Sequence, residues 1–374
     1  RNIIHGAAHH NARRWAFSFA LVMALALTGC GGSGQQDVSD PCPVTTDDTT
    51  WRTFLDIATR LDVGQTVDRD ELLAFAEMPV MIQWRRSLEP NSPSPINIAN
   101  WLESAFSLDG AAATRGKTST NRRMLTESYN YSFGHRAAID TFINDFRARG
   151  ACRLDELVEF WIAGENRRDL QVVAAFLPAQ SEIRFLNDTL LVDTGAFMAS
   201  GVDQTVEQIA SLMYRNHQII PGENPATLEG GASVAHAFRA TVNEGLAGWI
   251  ARNPQTEFRD DHPRLGSIRV IPETFFRTSR RVLDYGGKMF PAMVADPAVM
   301  EARGRAFTNF MTGQNAYGSL GYAMAAVIEA RWDEERLREA GRTVPGFLAA
   351  YQEAARGNPV PAPEPGTAGV PLHQ

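Results

Sequence analysis

The chain has 374 residues, of which 44% are hydrophobic, 9% aromatic and 21% charged. That composition excludes a wholly disordered chain, a collagen-like repeat and a small disulfide scaffold. Its 36 basic residues stand against 43 acidic ones, for a net charge of −7. Arg1, Arg13 and Arg14 lie ahead of the first acid, so the rest is more acidic still and lacks the broad basic surface of a nucleic-acid binder.

The run from Trp15 to Leu27 carries no charge. It is too short for a membrane-spanning helix of about 20 residues and has the length of a signal-peptide core. It ends in Leu27-Thr28-Gly29-Cys30, which resembles the lipobox of bacterial lipoproteins. The resemblance implies that residues 1–29 are a signal peptide, that cleavage precedes Cys30, and that the Cys30 thiol carries acyl chains. Several chains on one residue give stable membrane anchoring. The expected location is the cell envelope, and Gly31 after the cysteine points to an outer membrane facing the periplasm, or to the cell surface. Cys42 and Cys152 remain, and in an oxidising compartment such a pair is expected to form a disulfide. There is no CxxC spacing, which argues against a cysteine-ligated zinc.

Residues 30–50 are largely Gly, Ser, Thr, Asp and Gln and read as a flexible spacer. Residues 51–356 read as a single, mainly helical domain, and residues 357–374 as a Pro-rich tail. Within the domain, residues 70–84 have helical spacing, with Pro79 placed to kink or split the helix. Residues 98–106, 137–149 and 155–162 are further amphipathic helices. The β region is 170–197, with Val172, Val173 and Phe176 on one strand and Leu190 to Val192 on another. Two helices follow. Residues 203–220, with Asp203 as N-cap, present Val206, Ile209, Ala210, Met213 and His217 on one stripe. Residues 232–252 carry a bulky face and a face of small residues in which Glu244 is the one large polar group. Such a face lets another helix approach closely, and Gly245 in mid-helix calls for a packing reason.

A strand, a helix, and a second helix bearing Asn243-Glu244-Gly245-Leu246-Ala247 resemble the gluzincin zinc peptidases. More narrowly, they resemble a branch of gluzincin-like secreted proteins and lipoproteins. The resemblance extends to Tyr317-Gly318-Ser319-Leu320-Gly321-Tyr322-Ala323-Met324-Ala325, to Val344-Pro345-Gly346-Phe347 and to Tyr351, covering roughly residues 170–356. In that family an HExxH helix supplies two zinc-binding histidines and the Glu that activates the metal-bound water, and the second helix supplies a third ligand. By that resemblance Glu244 matches the third ligand and His217 the second histidine. The first histidine falls on Met213 and the catalytic Glu on Tyr214. A thioether is a poor zinc ligand, and a phenol does not replace a carboxylate base near neutral pH.

The expected fold is therefore α+β and mainly helical, with a zincin-like helix pair beside a small β-sheet. The expected protein is a membrane-anchored envelope lipoprotein that has lost zinc hydrolysis and works as a binding or scaffolding protein, with a protein or peptide ligand in its cleft. One alternative is an active zinc peptidase completed by His217, Glu244 and a further ligand such as His135. Another is a helical lipoprotein with a coincidental likeness. A third comes from Leu190-Leu191-Val192-Asp193-Thr194-Gly195, which resembles the catalytic loop of aspartic peptidases. That chemistry needs a second carboxylate, and the chain has no second Asp-Thr/Ser-Gly.

Overall fold

Four strands form one sheet: β1 (Val44–Asp47), β2 (Val172–Leu177), β3 (Arg184–Leu186) and β4 (Thr189–Asp193), in the spatial order β1-β2-β4-β3. β1, β2 and β4 run parallel, with Ala174 opposite Leu190 and Val44 opposite Val172, and β3 lies antiparallel on β4. The computed structural model describes residues 44–88, 90, 92–106, 120–162, 172–178, 184–186, 189–218, 224, 227–251, parts of 280–295, 296–313 and 316–356. Contacts divide the chain into Arg1–Pro41 and Cys42–Gln374, and the described residues belong to the second unit. The lipobox, Cys42 and the tail lie outside them.

β2 buries Ala174 to Leu177 and β4 buries Leu190 to Asp193. Such continuous burial is what strands covered on both faces require. The fold is thus α+β and mainly helical, as the sequence indicates. The strand leading to the helix pair, β4, is internal to the sheet, and β3 takes the edge.

The spacer reading fails at its end. Residues 44–50 belong to the domain, since β1 pairs with β2 and Thr50 is buried. Helix α1 (Thr49–Asp62) buries Thr50, Trp51, Phe54, Ile57 and Ala58, a helical stripe. Its Trp51 and Phe54 rings stack, and Phe54 packs on Phe75, Phe106 and Tyr129. Ion pairs pin the same segment from outside. Asp48 accepts from Arg52 at 3.1 Å and pairs with Arg147 at 3.3 Å, while Arg147 also donates to Thr46. Asp140 accepts from both Trp51 Nε1 and Arg52.

Pro79 does split its segment. Helix α2 (Arg69–Ala76) is capped by Asp68, and α3 (Pro79–Arg86) opens with the proline in its first turn, where its missing N–H costs nothing. Helices α4 (Pro95–Phe106) and α5 (Thr120–Gly134) follow. The two predicted helices across 137–162 are one helical path: α6 (Arg136–Asp145), a π-helical turn over Phe146–Gly150, and α7 (Ala151–Ile162). Phe142 and Phe146 meet Phe176 of β2 edge-on, and α1, α3 and α7 also touch the sheet.

After β4 come α8 (Thr194–Ser200), α9 (Val202–His217) and the 21-residue α10 (Gly230–Ile250). Next are α11 (Pro297–Gly313), α12 (Ala316–Arg331), α13 (Glu334–Gly341) and α14 (Val344–Ala354). Helix α10 touches α9 and all four of the later helices. Its closest neighbour is α12, and the reason for Gly245 is there. A Cβ on Gly321 would stand 2.7 Å from the Gly245 Cα, and one on Gly245 would stand 2.8 Å from the Tyr322 N. Ser233 and Thr308 hydrogen-bond across α10 and α11. Among the described residues no helix is long and apolar enough to cross a membrane.

Gly321→Ala should cost about 1–3 kcal/mol by overpacking, read as a lower urea midpoint. Gly231→Ala, on the same helix pair with nothing within 4 Å, should be neutral or stabilising by up to about 1 kcal/mol. Burial pushes the Asp48 carboxyl up, but hydrogen bonds and charge from Arg52 and Arg147 outweigh it and hold its pKa below the ordinary value. A depressed folded-state pKa stabilises above the unfolded value and is lost as pH falls through the folded one. Asp48→Asn should therefore be less stable than the parent at pH 7, and the two should converge in acid below the usual carboxylate range.

Candidate functional site

Gly201 ends α8 with φ +80°, the left-handed region that glycine enters without strain, and α9 starts on the next residue. Gly201, not Asp203, is the N-cap. Asp203 sits in the first turn, where its charge suits the helix dipole, and pairs with Arg149 at 2.7 Å. Helix α9 buries Val202, Val206, Ile209, Ala210, Met213 and Tyr214, together with Gln204, Thr205 and Ser211. It therefore has apolar and polar buried stripes, packed against α7 and α10.

Two bonds fix how α9 meets α10. Ser211 Oγ donates to the Ala247 carbonyl at 2.6 Å, and Arg215 Nε pairs with Glu244 Oε2 at 3.0 Å. One step of four residues forward on α9 matches three residues back on α10, so the helices cross antiparallel. The stripe of α9 that faces Glu244 is Ser211 and Arg215. Met213 and His217 are each two residues from Arg215, about 200° around the helix. Met213 and Tyr214 are only 4% and 3% exposed, and burial pushes the Tyr214 phenol above its ordinary pKa. His217, expected on the buried stripe, is exposed in the last turn.

The register taken from the resemblance is therefore displaced. Facing Glu244, the five positions that would read HExxH are Ser211, Leu212, Met213, Tyr214 and Arg215. Glu244 does not point into the small-residue seam either; Gly245 occupies that contact and Glu244 turns to α9. A guanidinium stays protonated and has donors but no lone pair for a metal. The Glu244 carboxylate thus already has its cation. With side chains 43% and 40% exposed, such a pair is worth about 0.2–1 kcal/mol, so it sets position more than stability.

Zinc does not fit the residues gathered here. Among the described residues no group of three or more His, Cys, Asp or Glu is placed to hold a metal. His135 precedes α6, stacked on Tyr131 at 4.1 Å with Nδ1 2.8 Å from the Tyr131 carbonyl. His236 meets Tyr317 edge-on. His262 and His373 lie outside the described residues.

Asp193 ends β4 and is 1% exposed. Its Oδ1 accepts the Gly195 N–H at 2.9 Å, and Thr194 Oγ1 donates to the Leu177 carbonyl. The Asp-Thr-Gly sequence is here a strand-to-helix joint, with the carboxylate capping α8. Cys152, second residue of α7, is disulfide-bonded. β1, which begins two residues after Cys42, touches α7.

Arg215 is the site residue that sequence reasoning passed over. Its signal was present: one carboxylate on a small-residue helix face calls for a partner, and an arginine one turn after Ser211 supplies it. No family model matches the chain, and no curated protein or solved structure is significantly similar to it.

The two registers make opposite predictions. Ser211→His with Leu212→Glu and Arg215→His should gain up to one zinc per chain, measured by mass spectrometry after dialysis. Met213→His with Tyr214→Glu should gain none and should unfold at lower urea, because it buries an imidazole and a carboxylate in the core. Zinc in the double variant and none in the triple would restore the Met213–His217 register.

Proposed function

We propose that this protein is a lipid-anchored envelope protein whose gluzincin-like helix pair serves binding or scaffolding and not zinc hydrolysis. The carrying observation is the Arg215–Glu244 ion pair. It puts a permanent cation without a lone pair against the carboxylate that corresponds to the third ligand of the family. Leu212 stands where that register asks for the water-activating carboxylate, and an aliphatic side chain moves no proton. What is left for chemistry at this junction is recognition. An exposed Arg–Glu pair offers a donor edge and an acceptor edge side by side, suited to the backbone or polar side chains of a protein or peptide. The anchor in this reading is acylated Cys30, which keeps that junction at a membrane.

Metal content tests the reading first. The mature chain saturated with zinc and dialysed should keep none. Near-stoichiometric zinc that is lost in Glu244→Gln or His217→Ala would overturn the proposal and point to an active peptidase with atypical ligands. The anchor is tested separately: Cys30→Ala should move the protein from the membrane fraction to the soluble fraction, and unchanged partitioning would remove the lipoprotein part of the reading.

A further inference from the structure

We draw no further inference here: the strongest candidate, the shallow groove between α13 and α14 lined by Arg336, Glu339, Gly346, Ala349 and Glu353, carries nothing because nothing in the structure shows what covers it.

Discussion

Helix α10 meets α12 through bare backbone, and among the described residues α11, α13 and α14 also pack on this same long helix. Gly245 and Gly321 leave no room for a methyl group between the two helices. Helices that approach this closely gain packing along their whole length, but only if both glycines stay. Around the seam larger groups add to the packing: Trp249 Nε1 donates to Glu329 and its ring packs on Tyr322, both on α12, and Phe238 packs on Phe307 of α11. The long helix is thereby a fixed post, and Glu244 projects from it at a set height.

From that post the chemistry of the junction follows. A carboxylate fixed on a rigid helix beside a second helix must be neutralised, hydrated or bound to a metal. Here Arg215 neutralises it. The Ser211–Ala247 hydrogen bond one turn away holds the two helices in the register that allows this. The same register turns Met213 and Tyr214 inward, where their apolar bulk contributes to the core. Residues that look like damage to a catalytic motif are thus ordinary core residues of a helix turned to present a different stripe.

How far the sequence was legible depended on whether a signal was local. The β4 run, the break at Pro79 and the close helix seam at Gly245 each have a short-range cause, and each is found in the structure. β1 escaped because Val44-Thr45-Thr46-Asp47 carries little apolar signal; it is an edge strand held by backbone pairing and by Arg147. The orientation of α9 escaped for a different reason. It buries apolar and polar residues on more than one face, so periodicity does not say which face meets α10, and a match built on His217 lies two residues from Arg215.

The backbone seams also determine where this molecule can move. Gly230 and Gly304 make a second close contact, with a Cβ on Gly304 only 2.9 Å from the Gly230 carbonyl carbon. Two such points, about 22 Å apart along α10 at 1.5 Å per residue, clamp α10 to α11 and α12 with no rotamer between them to adjust. Any displacement among these three helices would have to open one of those backbone contacts. Helix α9, by contrast, is joined to α10 at Ser211 and Arg215 through side chains that can change rotamer, which makes that junction the more adjustable of the contacts on α10.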